Sequence, residues 1–355
     1  MKRRYAILAL DRFEHDAKTA HGVIAYGADD VAAVIDPACA GKTVREVLPH
    51  LNSDAPIVAS VAEALKFEPT ALLIGTAPKG GALPPDWRQA VLDALEADLD
   101  VVSGLHDMLG ENENFAAIAR EHGCDIWDVR KPPDVPLFSG AVYDVTAPTL
   151  LLVGNDCAVG KMTVALELVR AANASGANAR FVPTGQTGIM IAGWGISIDR
   201  VIADFAPGAT EQLVLFAAHE GADLIVVEGQ GAINHPAYAP VTLSLMYGSA
   251  PDALILVCAP QKVRIEDFDT PVLGYRELIR VHEALLATVK PAKVIGIALN
   301  TRGLDDATAR AEIARARAET QLPADDVVRF GPERLYAAVA PGLRRNPPLR
   351  VAAPA

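Results

Sequence analysis

LLLVGNDCAVGKMTVALEL, residues 150–168, is the stretch that decides how this chain folds. An apolar run (149–153) enters a turn bounded by Gly154 and Gly160, and Lys161, Thr163 and a helix-forming segment follow. A strand that delivers the chain to such a turn, with a helix behind it, is how phosphate is cradled. Backbone N–H groups face inward, and the helix directs its positive end at the same point. The spelling is unusual: five residues separate the glycines where about four are standard. Met162 also stands between Lys161 and Thr163, so the usual magnesium-ligating hydroxyl comes one position late. The candidate cofactor contacts are Gly154, Asn155, Asp156, Cys157, Ala158, Val159, Gly160, Lys161, Met162 and Thr163. The plainer alternative is an ordinary strand-to-helix turn.

Downstream, the helix is expected over 161–174, with Val164, Leu168 and Ala171 on one face and Gly176 as its stop. Buried strands at 179–182, 224–227, 253–258 and 294–299 would join 149–153 in a five-stranded parallel core. Three strand ends carry candidate chemistry. Pro183-Thr184-Gly185-Gln186-Thr187-Gly188 is a glycine- and hydroxyl-rich loop suited to substrate or metal, with Gln186 as a substrate contact. Glu228 ends an apolar strand where the metal-organising acid of phosphate-loop domains sits; it is a candidate catalytic group, with turn capping as the alternative. His235 follows as a candidate base, or as a ring that bonds a loop carbonyl. Asp156 is a further candidate catalytic carboxylate, and Asn300, at the last strand's end, suits an adenine edge. Residues 305–320 read as an exposed, charge-alternating helix, and the proline-rich last dozen as extended.

The first half alternates short apolar runs (5–10, 31–35, 56–59, 71–74, 101–103, 126–129) with helical intervals, clearest at 61–66 and 87–95. That is a doubly wound, Rossmann-like sheet, without the G-x-G-x-x-G fingerprint and with only Asp36 to suggest a ribose contact. Lys79-Gly80-Gly81 and His106-Asp107 sit at strand ends, the latter as an acid/base pair or a capped turn. Arg130 and Lys131 close the half with two cations, suited to a carboxylate substrate, with solvated surface charge as the alternative. Four prolines within 131–148 mark the linker, dividing the chain into a Rossmann-like domain 1–143 and a P-loop NTPase-like domain 144–355. The fold class is α/β, with two doubly wound parallel sheets.

Composition bounds the function. The chain has 355 residues and a net charge of −12, so an extended nucleic-acid surface is not expected. Four cysteines without a C-x-x-C fit a reducing cytoplasm, and no apolar run approaches a membrane span. Extended apolar strands and a site built from two domains point to a homo-oligomer.

Two families share these motifs. The loop resembles the variant phosphate loop of dethiobiotin synthetase and its ATP-dependent relatives, with one residue inserted after the lysine. The combination of SGLHDML (103–109), GNDCAVGKMT (154–163), PTGQTG (183–188) and VEGQGAINHPAY (227–238) resembles, over nearly the whole chain, the family long catalogued as of unknown function that includes D-glutamate N-acetyltransferase. That resemblance implies acetyl transfer from acetyl-CoA to the amino group of D-glutamate, opening a breakdown route that a partner epimerase completes. The chemistry is compatible. Coenzyme A carries a pyrophosphate that the loop can hold; Glu228 or His235 can take the amine proton; Arg130, Lys131 and Arg264 supply cations for substrate carboxylates. The common acetyltransferase signature Q/R-x-x-G-x-G/A is absent, so the transfer would run on a different fold. Cys157, among amides and beside Lys161, is expected to have a lowered thiol pKa and invites an acetyl-cysteine route, with loop filling as the alternative. The competing readings are an ATP-dependent ligase or kinase using Mg2+, and a nucleotide-gated regulatory module. The metal requirement stays open.

Overall fold

Continuous apolar runs too short for helices become strands buried on both faces, and this chain supplies two sets of them. The computed structural model describes residues 2–76, 78 and 80–346. The chain forms two compact units. The first takes the segment up to Pro132 together with Gln186–Ser197; the second takes Pro133–Gly185 and the chain from Ile198 onward.

The first unit holds β1 (Arg4–Leu8), β2 (Asp30–Ile35), β3 (Ile57–Val58), β4 (Ala71–Ile74), β5 (Asp100–Ser103) and β6 (Ile126–Asp128), all parallel, in the order β3-β2-β1-β4-β5-β6. Trp87, Leu95, Leu105 and Phe115 pack with the strands' buried side chains. The expected helical intervals form as a short helix Val61–Ala64 and a longer one, Arg88–Glu96. Asp36 is buried, and its carboxylate accepts the N–H groups of Phe13 (2.8 Å) and Ala38 (2.9 Å), so it ties two loops together. The Gln186–Ala192 helix joins this unit through the Thr19–Thr187 hydroxyl pair at 3.0 Å. Gly104 leaves it room: a Cβ there would lie 2.9 Å from the Gln186 side chain.

The second unit holds β7 (Thr149–Gly154), β8 (Ala179–Val182), β9 (Leu224–Val227), β10 (Ala253–Cys258), β11 (Lys293–Leu299) and β12 (Ala324–Asp325), parallel, in the order β12-β11-β10-β7-β9-β8. The sheet has six strands, where the apolar runs led us to expect five. β12 is two residues long, and pairing with β11 rather than hydrophobicity defines it. β7, fully buried, lies between β10 and β9 at the point where strand order reverses; there an open α/β sheet presents its ligand crevice at the strands' C-terminal ends. The Lys161–Ala174 helix runs as the pattern requires, and Gly176 follows it in the left-handed region (φ 93°). The charged Asp306–Thr320 helix buries only a narrow stripe of Ala309, Ile313 and Ala316.

Buried Asp252 binds the end of the described chain to the start of β7. It accepts from Thr149 N, Lys290 Nζ, Arg345 Nη1 and Asn346 N at 2.6–3.0 Å. The proline-rich end expected to be extended lies, from 347 on, outside the described residues, as does Lys79. Among the described residues no helix is long and apolar enough to cross a membrane.

Candidate functional site

Gly154 ends β7, and the loop then turns through two left-handed residues, Ala158 (φ 54°) and Gly160 (φ 103°), into the Lys161–Ala174 helix. Left-handed residues in such a turn bring successive N–H groups to one side, the geometry of an anion cradle. Lys161 is only 6% exposed, and its Nζ donates to the Asp156 carbonyl within the loop at 2.8 Å. Its aliphatic stem is lodged between two glycines. A Cβ on Gly154 would lie 3.1 Å from Lys161 Cδ and Nζ, and one on Gly229 would lie 3.0 Å from Cδ. Gly229 also presses on β7 so closely that a Cβ would stand 1.7 Å from the Leu152 carbonyl oxygen. The Gly229 of the Glu-Gly-Gln-Gly spelling after β9 is thus a packing requirement.

Glu228 is buried beside this lysine-bearing turn. Its Oε2 accepts the N–H groups of Thr184 (2.9 Å) and Gly185 (3.0 Å), an acceptor arrangement that suits a carboxylate. The Thr184 hydroxyl donates to the Glu228 carbonyl at 3.0 Å, and Gln230 Nε2 donates to the Thr184 carbonyl. The loops after β8 and β9 are thereby joined.

Asp156 is fully buried and fully engaged. Oδ1 accepts from Cys157 N (2.7 Å), and Oδ2 accepts from Lys262 Nζ (2.7 Å) and Glu266 N (2.9 Å). It braces the phosphate-type loop against the loop that follows β10. Burial works against the charge on Lys262, but hydrogen bonds to Asp156 and Glu266 and their charges outweigh it and push the ammonium up from its ordinary value. Cys157 differs from expectation. Burial pushes its thiol up, and the nearby Lys161 offsets this only in part, so the thiolate that an acetyl-cysteine route needs is disfavoured.

His235 is 2% exposed, and its Nδ1 accepts the N–H groups of Ala237 (3.1 Å) and Tyr238 (3.2 Å) at the entry to the Ala239–Ser249 helix. A ring nitrogen that accepts two N–H bonds carries no proton, so the neutral ring bears its proton on Nε2 and acts there as a donor. A side-chain ligand atom from each of Asp156, Cys157 and His235 lies within 4.8 Å of the others. The set suits a metal poorly, because both Asp156 oxygens and His235 Nδ1 already accept backbone or lysine donors.

Asn300 braces the loop from the other side: Nδ2 donates to the Val159 carbonyl at 3.1 Å, and Oδ1 accepts from Arg302 N. Asn155 does likewise toward Ala259. Met162 and Thr163 lie in the first turn of the helix, both half-buried. Arg264 is exposed and pairs with Asp269 at 2.6 Å. The second unit therefore gathers the loop, Glu228, His235, Asn300 and Arg264. Arg130, Lys131 and Gln186 belong to the first, where Arg130 Nε donates to the Gly104 carbonyl at 2.7 Å and Lys131 pairs with Glu111 on the surface. There too, Asp107 accepts from Leu83 N (2.8 Å) and the N–H of His106 meets the Gly81 carbonyl, so the His-Asp turn is knitted to the Gly80-Gly81 loop. Lys262, Glu266 and the amides of Thr184 and Gly185 escaped sequence reading. The only signal for the first two is a Lys-x-x-x-Glu spacing soon after an apolar strand.

A Gly-Lys loop on the first strand of a parallel sheet, with a buried carboxylate at the end of the neighbouring strand, defines a P-loop type of α/β protein. The chain belongs to the DUF1611 family. Residues 136–336 match its "Domain of unknown function (DUF1611_C) P-loop domain", and residues 37–132 match its "Domain of unknown function (DUF1611_N) Rossmann-like domain". It is similar to a D-glutamate N-acetyltransferase of Tritonibacter scottomollicae, 38% identical over 76% of this chain and 80% of that one. A protein of the same name from a Pseudoalteromonas species is 34% identical over 78% and 83% of the two chains. The crystal structure of a DUF1611 family protein from Anabaena variabilis ATCC 29413 superposes with a TM-score of 0.91 at 39% identity, covering 96% of this chain and 100% of that one.

Proposed function

We propose that the protein is a D-glutamate N-acetyltransferase that takes its acetyl group from acetyl-CoA. The observation that carries this reading is the pair of relatives of that name, which align with 76% and 78% of this chain. The site supports it. The loop's left-handed turn and the Lys161 ammonium suit the pyrophosphate of coenzyme A. Acetyl-CoA supplies an activated thioester, and the chain's residues act on the amine and on the carbonyl oxygen. Glu228 accepts a proton from the D-glutamate ammonium, a role His235 is less suited to because its Nδ1 is committed to two N–H donors. His235 instead donates through Nε2 to the oxygen that becomes negative as the amine attacks. The new C–N bond forms, the C–S bond breaks, and coenzyme A leaves as the thiol with the amine's second proton. Arg264 is a cation on the same unit for a substrate carboxylate, and the enzyme works as a cytoplasmic homo-oligomer.

The test is thiol release from acetyl-CoA with D-glutamate, in wild type and in Glu228→Gln. Wild type is expected to release thiol, and the variant to fall in kcat by about a hundredfold or more with coenzyme A affinity kept. No thiol with any acidic amino acid overturns the reading. Magnesium-dependent ADP release with a carboxylate substrate would move it to the ligase class, for which Glu228 at the end of β9 is the favouring observation.

A further inference from the structure

Tyr238 (53% exposed), Phe268 (39%) and Val263 (75%) are large apolar side chains left in water. They stand on two loops. The loop after β9 carries Glu228, His235 and Tyr238; the loop after β10 carries Lys262, Val263, Glu266 and Phe268. The His235 ring joins them, stacked on Tyr238 at 4.5 Å and 28° and met edge-on by Phe268 at 5.3 Å and 85°. The loop after β10 is anchored to the phosphate-type loop through the bonds of Asp156 to Lys262 and Glu266, and the loop after β9 brings His235 within 4.8 Å of Asp156 and Cys157. The Tyr238 and Phe268 rings are thus held through His235 beside the phosphate-type loop. Exposed apolar surface built on a braced frame calls for an occupant.

We propose that Tyr238 and Phe268 clamp the pantetheine arm of coenzyme A, the stretch between pyrophosphate and thioester; the proposal rests on the acetyl-CoA reading. The arm is the fitting occupant for two reasons. If the loop holds the pyrophosphate and Glu228 takes the amine proton, the part of the ligand that runs between them is the arm, and Tyr238 shares a loop with Glu228. The arm also carries a gem-dimethyl carbon and a run of methylenes, whose burial against aromatic faces removes apolar surface on both sides.

Calorimetric titration of the full-length protein tests this with two probes: coenzyme A, and adenosine 3′-phosphate 5′-diphosphate, which keeps the base and pyrophosphate and lacks the arm. Tyr238→Ala combined with Phe268→Ala is expected to weaken coenzyme A by about tenfold or more and to leave the truncated nucleotide within about twofold. Tyr238→Phe should bind coenzyme A as wild type does. Equal loss for both probes, or no loss for either, overturns the clamp. A fall in oligomeric size by light scattering with coenzyme A binding unchanged also overturns it and assigns the patch to a second copy of the chain. Wild-type protein that binds neither probe removes the phosphate-loop reading and the clamp with it. Wild type that binds coenzyme A, with variants unaffected, removes the clamp alone.

Discussion

Lys161 is buried, charged, and threaded between two glycines that admit its stem, so its charge and its packing have to be separated in any test. Lys161→Ala removes both and leaves a void between Gly154 and Gly229. Lys161→Met keeps the stem and removes the ammonium. Loss of a buried cation that holds a phosphate costs about 2–5 kcal/mol, so Lys161→Met should weaken coenzyme A about thirtyfold or more while the denaturation midpoint stays near wild type. Titration calorimetry beside a urea melt checks this, and unchanged affinity would show that the loop is not the site. Asp156 teaches a related lesson. In sequence it is an acid inside a phosphate loop and so a catalytic candidate; in the structure both of its oxygens are occupied in bracing. Its distant partners are Lys262 and the Glu266 amide, 106 and 110 residues further on, and no local pattern announces a pairing of that span. Cys157 shows the same limit in electrostatics. The neighbouring lysine is visible in the sequence, whereas the burial that outweighs it is a property of the folded loop.

At the scale of elements, β7, β9 and β10 were legible because strands buried on both faces are continuous apolar runs between polar ends. The Lys161–Ala174 helix was legible because glycines flank it. β12 was not, since a two-residue strand carries no period. Nor was the membership of the Gln186–Ala192 helix, which joins the first unit although it follows β8 of the second. The close approach of the β9 turn to β7 was hidden too, because a glycine in sequence does not say whether it serves conformation or space. Gly229 serves space: with a Cβ only 1.7 Å from the Leu152 oxygen, β7 and the β9 turn must part. We expect Gly229→Ala to cost about 3 kcal/mol or more and to impair ligand binding, because the displaced backbone also flanks Lys161. Gly176→Ala is the control. It has a left-handed φ of 93°, but a Cβ there would meet nothing within 4 Å among the described residues, so it should cost only about 1 kcal/mol. Urea midpoints of the two variants decide it, and similar losses would mean that the approach at Gly229 relaxes cheaply.

At the scale of the whole molecule, the fold carries an acid-sensitive group within the core of its second unit. His282, on the Tyr275–Leu286 helix, is fully buried; Nδ1 bonds the Leu278 carbonyl at 2.7 Å, and Nε2 has no hydrogen-bond partner among the described residues. Burial, helped by the positive charge of Lys161 and opposed by the Leu278 bond, lowers its pKa from 6.5 to about 4. The unfolded chain therefore binds a proton near pH 6.5 that the folded chain refuses until about pH 4. Between those values the unfolded state holds more protons, so stability falls as the pH falls. The contribution is fully present above pH 6.5 and lost by about pH 4, a total on the order of 3 kcal/mol. Carboxylates titrate in the same range, so the effect is read as a difference. His282→Leu should be less stable or similar at pH 7, yet lose less stability than wild type between pH 6.5 and 4.5 when urea melts are compared at each pH. Parallel stability curves for the two proteins would show that His282 does not limit acid stability. A steeper curve for the variant would reverse the sign of its linkage.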